Sequence, residues 1–370
     1  MHMKLWLRLA ACTALSTGWA AAAIAQADQP STAPAAPEAA PQAAPVGVGT
    51  GEILVTARKR EERLQDVPMS ITAVGGDTLR QRQITNQAEL SFRTPNFQQT
   101  NGVNVAAFMR GVGSGSNPSF EQAVGTFVDG IYAGRGAQQP YLYFDVERVE
   151  VLRGPQVTLY GNSAIAGAVS VVTRKPGNEL AADVTTKYEF NHEQFQTQGG
   201  VTVPVGDKLR LRFAGYYDYL GKGWLQTYRS QQMPGFFRED PQWRNRAGRV
   251  TADLDVTDSI NLDVKYEIWQ IQQDGNTLQP TANAGTPTVK EYKFDNVRDY
   301  GNGPPQNNQT FDPMRMKSQT IQANLSIETG AGTITSTSAY VWYDWLLNTE
   351  ADQSPIPLFN FRHYEDFNQF

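Results

Sequence analysis

The stretch "VEVLRGPQVTLYGNSAIAGAVSVVTRKP", Val149 to Pro176, decides how the rest of the chain is read. Two valine-rich runs flank a segment of Gly, Ser, Asn and Ala. Valine runs bounded by such residues are strands. Small residues between two strands allow tight turns and close backbone approach. From about residue 180 onward the text changes to long alternating segments with aromatic ends.

The chain has 370 residues and a formal net charge of −5. That balance points to no nucleic-acid partner. No apolar run beyond the N-terminal segment is long enough for a transmembrane helix. A membrane β-barrel is compatible with this, because only alternate residues of its strands face lipid.

The N-terminus, residues 1–25, reads as a signal peptide. Lys4 and Arg8 form a basic region, Leu9 to Ala23 an apolar one, and Ala23-Ile24-Ala25 a cleavage site, with Ala25-Gln26-Ala27 as an alternative. Cys12, the only cysteine, stands in a lipoprotein-like box, "LAAC", which offers a second way of processing. After the signal cut the mature chain has no thiol, hence no disulfide and no thiolate metal site. Residues 26–51 form a Pro/Ala-rich linker whose composition supplies few core groups.

Residues 58–176 read as a compact α/β unit. "VPMSITAV" (67–74) is a strand, "GDTLRQRQITNQAELSF" a helical region with Asp77 as N-cap, and "VGTFVDGIYAG" (124–134) a pair of strands around the Asp129-Gly130 turn.

Beyond Ala181, β segments dominate. In "INLDVKYEI", Ile260, Leu262, Val264, Tyr266 and Ile268 share one face, and Asn261, Asp263, Lys265 and Glu267 the other. Leu209, Leu211 and Phe213 alternate likewise, as do Ile321, Ala323, Leu325 and Ile327. A soluble sandwich alternates in this way too. The connections favour a membrane meander: tight turns at "VPVGDK", "VTDS" and "ETGAG" alternate with long links at about 221–244, 271–315 and 346–361. Trp224, Trp269, Tyr340, Trp342, Tyr343 and Trp345 lie near strand ends, as an interfacial girdle would.

Four segments in order, "EILVTARKREERLQDVPMSITAV", "MRGVGS", "FVDGIYAGR" and "VERVEVLRGPQVTLYGNSAIAGAVSVVTRKP", resemble the plug of TonB-dependent outer-membrane receptors. Val157 and Asn162 depart from the usual pattern, where a small and a basic residue are common. The resemblance implies an α+β plug (58–176) followed by antiparallel transmembrane β-barrel strands (177–370). In the family the plug lies inside a barrel of about 22 strands. About eight strands can be counted here, and a closed barrel of that size is filled by its own side chains. The barrel is therefore expected to be partial and open, its first and last strands unpaired, and the chain an N-terminal piece of a receptor.

The resemblance also implies site roles. Glu52, Ile53, Leu54, Val55, Thr56 and Ala57 resemble the TonB box, a segment that adds as a strand to a partner's sheet edge. The alternative is an ordinary first strand of the plug. Arg148, Glu150 and Arg153 alternate along one strand; the family implies charge pairs between plug and barrel wall, and a solvated strand face is the other reading. "RGVGSGSNPSF" (110–120) is no phosphate loop, since no buried strand leads in and Pro118 blocks a following helix. As a plug apical loop facing an outside ligand it contributes Gly113, Ser114, Ser116 and Asn117, and the neighbouring "NFQQTNGV" contributes Asn96, Gln98, Gln99 and Asn101. Trp224, Tyr228, Arg229 and Arg238 offer cations and aromatics to an anionic chelate, or are simply girdle and loop. With three His, bare transition-metal binding is disfavoured, and no cofactor is implied.

No catalytic constellation is visible. The expected function is import of a scarce large ligand, such as a ferric siderophore, across a Gram-negative outer membrane, energised by the periplasmic TonB complex, with outer-membrane lipid around the barrel. The alternatives are a passive porin-like or adhesin barrel, and a non-functional truncated receptor fragment.

Overall fold

The computed structural model describes residues 54–56, 62–100, 105–115, 121–138, 141–228, 237–274, 297–299, 314–350 and 360–369. The signal peptide and the linker read from the sequence lie outside them.

The globular domain opens with a small antiparallel pair, β1 (Leu54–Val55) with β2 (Glu62–Arg63). Its body is a five-stranded mixed sheet built from β3 (Ile71–Gly75), β7 (Glu121–Val128), β8 (Ile131–Arg135), β9 (Val146–Arg153) and β10 (Gly167–Thr173), in the order β3-β9-β10-β7-β8. A three-stranded flap, β4 (Phe97–Gln99), β5 (Ala107–Met109) and β6 (Val112–Gly113), accompanies it. The opening stretch supplies β9, β10 and the one-turn helix α3 (Val157–Tyr160) between them. β10 is central: it runs antiparallel to β9 and parallel to β7. Both its faces are covered: Val169 and Val171 are buried on one, Ala168 and Ser170 on the other, as in a strand covered on both sides. Gly167 explains part of the small-residue content. Its φ is +156°, and a Cβ there would press on Met109 Sδ and the Leu152 carbonyl.

Asp129 and Gly130 both have positive φ, the geometry of a two-residue hairpin turn, and join β7 to β8 as read. The helical region resolves into two short pieces, α1 (Gly76–Gln81) and α2 (Gln87–Ser91). Asp77 is not the N-cap of α1. Gly75 holds that place and Asp77 lies in the first turn, because the chain turns straight out of β3 where Gly76 abuts the Val146 carbonyl. α2 carries the true cap: Asn86 Oδ1 accepts from Glu89 N at 3.0 Å, while Glu89 Oε2 accepts from Thr85 N.

The second part is an antiparallel meander. Its strands are β11 (Ala181–Glu189), β12 (Gln194–Val205), β13 (Leu209–Leu220), β16 (Gln242–Thr257), β17 (Ile260–Asp274), β19 (Met314–Thr329), β20 (Gly332–Glu350) and β21 (Asn360–Gln369), paired in that order. A side sheet of β14 (Leu225–Tyr228), β15 (Phe237–Asp240) and β18 (Val297–Asp299) rises from the long connections. Val205 pairs with Leu209, Thr257 with Ile260 and Thr329 with Gly332, so the three tight turns share one rim. β11 and β21 are the two edges and do not pair with each other. The barrel is partial and open, as the strand count required.

The faces of this sheet are inverted relative to a soluble sandwich. Val264, Tyr266, Phe213 and Ile321 are among its exposed side chains, whereas Arg212, Arg249, Lys265 and Glu267 are each at most 4% exposed. Apolar groups point outward and charges inward, against the globular domain. A soluble sheet buries the opposite face; a membrane barrel wall has this one. Period two also sorts the aromatics. Tyr340 and Trp342 lie on the outer face, but Trp269, Tyr343 and Trp345 are buried on the inner one. Half of the expected girdle is therefore inward packing, a matter of odd against even positions that strand-end location does not reveal.

Candidate functional site: the seam between domain and sheet

The inward charges of the sheet meet polar groups of the domain in three adjacent clusters. The first is a clamp on Asp145, the residue before β9. Arg212 Nε donates to Asp145 Oδ2 at 2.9 Å and Arg212 Nη2 donates to Oδ1, a bidentate grip. Thr202 Oγ1 accepts from Arg212 Nη1 and Asp183 Oδ1 from Nη2. Arg249 Nη1 reaches the Asp145 carbonyl at 3.1 Å, and its guanidinium lies 4.4 Å from the centre of the Phe144 ring.

The second cluster is a triad. Arg249 Nε donates to Glu267 Oε2 at 2.7 Å, Tyr141 O–H donates to the same oxygen at 2.8 Å, and Arg249 Nη2 donates to the tyrosine oxygen at 2.9 Å. Each group is buried, so each charge is matched where water cannot compensate.

The third cluster holds the β7–β8 turn. Asp129 accepts from Thr173 N and Thr173 Oγ1 at 2.8 and 2.7 Å and pairs with Lys265 Nζ from the sheet. Gln322 Nε2 donates to the Asp129 carbonyl at 3.0 Å. Burial alone would push the Asp129 carboxyl up; the Lys265 ammonium and the Thr173 hydrogen bonds overcome it and hold the group down at about 2. Further out, Arg135 pairs with Glu365 and Arg174 with Asp183.

None of these seam residues had been singled out from the sequence as a site. The signal was present in period two: Lys265 and Glu267 fall on the polar face of "INLDVKYEI", and that face is the inner one.

The charges that were singled out lie elsewhere. The sequence admits two readings of Arg148, Glu150 and Arg153, charge pairs to the wall or a solvated strand face; their bonds run within the domain, and Arg148 and Glu150 are buried. Glu150 Oε1 accepts from Thr56 N at 2.8 Å, from Thr56 Oγ1 at 3.2 Å and from Arg148 Nε at 2.8 Å. Arg153 reaches the Pro95 carbonyl, Ser70 and Thr72. The reason is register: β9 lies between β3 and β10, so its side chains meet the domain's own layers. The contact with the wall passes to the flanking residue Asp145. The same geometry bears on the segment 52–57. Val55 is fully buried beside Val67, Phe127 and Leu152, and Thr56 is tied to Glu150. Leu54 belongs to β1, and Glu52, Ile53 and Ala57 lie outside the described residues.

The family model of the TonB-dependent receptor plug domain matches residues 63–168. These residues form a TonB-dependent receptor plug domain. Among curated proteins it is similar to the iron-regulated outer membrane virulence protein of Vibrio cholerae, 28% identical over 181 residues, 44% of this chain and 27% of that one. The vitamin B12 transporter BtuB of Vibrio cholerae is 26% identical over 195 residues, 50% of this chain and 29% of that one. Among solved structures, the ferric yersiniabactin uptake receptor FyuA of Yersinia pestis superposes with a TM-score of 0.60 at 20% identity, covering 76% of this chain and 42% of that one. The ferripyoverdine receptor of the outer membrane of Pseudomonas aeruginosa superposes at 0.62 and 14% identity, covering 82% and 38%. The aligned part thus spans about a quarter of the curated relatives and under half of these receptor structures.

Within the plug, the flap brings two groups of the ligand candidates together. Gln98 and Gly113 flank Phe108 on either side. Gln98 is exposed, and Asn96 has φ +60°. Gln99 is buried, and Ser114 Oγ accepts from Ala123 N at 2.6 Å, so both have structural places. On the barrel rim Trp224 is exposed and packs edge-on to His192 and Trp243. In the β14–β15 hairpin Tyr228 pairs with Phe237 and Arg238 with Thr227. Asn101, Ser116, Asn117 and Arg229 lie outside the described residues.

Proposed function

We propose that this protein serves energised import across a Gram-negative outer membrane, its plug closing the passage and TonB supplying the pull. A scarce large ligand, most simply a ferric siderophore, would bind the flap and the outer loops. The observation that carries the reading is the linkage from Thr56 to the wall. Thr56 hangs on Glu150 of β9, and Asp145, one residue before β9, is gripped by Arg212. A pull on the segment 52–57 therefore loads the strand whose other end is clamped to the barrel. Support comes from the plug match and from relatives whose names concern iron regulation, vitamin B12 and ferric siderophores. For TonB to add as a strand, β1 must first leave its buried seat, so Glu150 sets the cost of engagement.

The test follows binding and uptake of labelled ferric hydroxamate, ferric catecholate and cobalamin in knockout and complemented cells. Adjacent backbone N–H groups of a strand point to opposite sides and proline has none, so Leu54→Pro and Val55→Pro cover both registers. At least one proline variant, and a protonophore, should abolish uptake while surface binding persists. Uptake that survives the protonophore would instead support a passive barrel. Normal transport by both proline variants would refute the role of segment 52–57.

A further inference from the structure

The outer face of the barrel sheet carries a second ordered surface. Most of its outward rows are apolar. Two rows near the loop rim break the pattern. By register, Arg246 pairs with Gln270 and Gln270 with Lys317, while Arg244 pairs with Gln272 and Gln272 with Arg315. The inner neighbours Met316 and Arg249 are buried, so the four cations share the outward parity. Strands lie about 4.8 Å apart and rise about 3.4 Å per residue. The backbone positions of the four cations thus mark the corners of a rectangle of about 10 by 7 Å, with the two glutamines between them; the Arg244 guanidinium lies 5.6 Å from the centre of the Tyr219 ring, toward β13. Arg246 Nε donates to Gln270 Oε1 at 2.6 Å, which leaves the glutamine N–H groups as donors. Arg246, Gln270, Gln272, Arg315 and Lys317 border one open concavity, together with Asp344, Leu346 and Tyr364. Asp344 faces Lys317 across the β19–β20 pair, yet among the described residues none of the four cations is in an ion pair. The opposite rim shows no such excess: its tight turns carry Asp207, Asp258 and Glu328 against Lys208.

We propose that this rectangle binds a lipid whose headgroup carries two phosphates, in the leaflet at the loop rim. Two pairs of cations about 10 Å apart suit two phosphates better than one. A lipid rather than free phosphate is indicated because acyl-chain surface adjoins the charges. Leu346 and Tyr364 share the row of Arg315, and the next row toward the turn rim from Lys317 contains Ile268 and Trp342. Phosphates would take the Arg, Lys and Gln donors while the chains lie on the apolar rows. The inference rests on the reading that this sheet crosses an outer membrane.

The test reconstitutes the full chain in phosphatidylcholine vesicles containing bisphosphorylated lipid A, monophosphorylated lipid A or phosphatidylglycerol, and measures lipid retained on detergent extraction by native mass spectrometry. Bisphosphorylated lipid A should be retained most, and millimolar inorganic phosphate should not displace it. Each basic residue near a charged bilayer surface contributes about fivefold, so R244Q/R246Q/R315Q/K317Q should lower retention by several hundredfold. R246K/R315K, which keeps the charge, should retain most of it, and K208Q at the turn rim should change nothing. Equal retention by the quadruple variant, no preference among the lipids, or displacement by phosphate would each overturn the proposal. Failure to insert into any vesicle would instead refute the membrane reading beneath it.

Discussion

Replacing Asp145 probes the seam where two buried guanidiniums of the sheet meet one residue of the domain. Its carboxylate is held by Arg212, and its carbonyl by Arg249, with the two guanidiniums about 4% and 2% exposed. Removing one partner of a buried ion pair costs about 3–5 kcal/mol, because the remaining charge is left unmatched. Here Arg212 keeps Thr202 and the half-exposed Asp183, so the lower end, about 3 kcal/mol, is expected for Asp145→Asn. At about 1.4 kcal/mol per tenfold, plug opening becomes over a hundredfold more populated. Hydrogen exchange on the reconstituted protein reads this in amides of β9 and β10 and of Arg174, just after β10, whose N–H donates to the Asp145 carbonyl. Adding Arg212→Met should restore part of the protection, since the unmatched charge is then gone. Asp258→Asn on the turn rim is the control, with an effect within about 0.5 kcal/mol. Exchange in Asp145→Asn within threefold of the wild type would refute the view that this clamp holds the plug.

Three further outcomes follow from the same geometry. The Asp129 carboxyl sits at about 2 in the folded protein, below its unfolded value. It therefore contributes about 2 kcal/mol that is present above pH 4 and lost as pH falls toward 2; acid unfolding of Asp129→Asn should lack that component. Glu150→Gln keeps an acceptor for Thr56 but removes the charge beside Arg148, so Thr56 should exchange its amide about tenfold faster, read by NMR or mass spectrometry, with the plug core unchanged. Gly167→Ala meets the Met109 sulfur and the Leu152 carbonyl at positive φ and should cost more than about 1 kcal/mol in thermal unfolding.

The fold was legible where periodicity and turn chemistry agree. Alternation in 260–268 and the tight turns at 206–208, 258–259 and 330–331 located the meander, and the valine runs around 149–173 located the centre of the plug. Interactions that depend on which layer a strand faces were not legible. Arg148 and Glu150 have the spacing of a charged face, with Arg153 of the opposite parity, but only the strand order shows that β9 is internal. Asp145, one residue outside that strand, looks unremarkable in "YFDVER". The pairing of Asp129 with Lys265 joins residues 136 apart, and period two states only that Lys265 shares a face with Asp263 and Glu267.

The central claim is that the polar face of the barrel sheet covers the plug while its apolar face meets lipid. A nitroxide scan of residues 318–323 on β19, in a Cys12→Ser background in lipid vesicles, tests it directly. Relaxation by oxygen, which concentrates in lipid, should be high at 319, 321 and 323. At 318, 320 and 322, relaxation by oxygen and by a water-soluble nickel chelate should both be low. Strong relaxation by the nickel chelate at 319, 321 and 323, or the loss of alternation, would contradict the account.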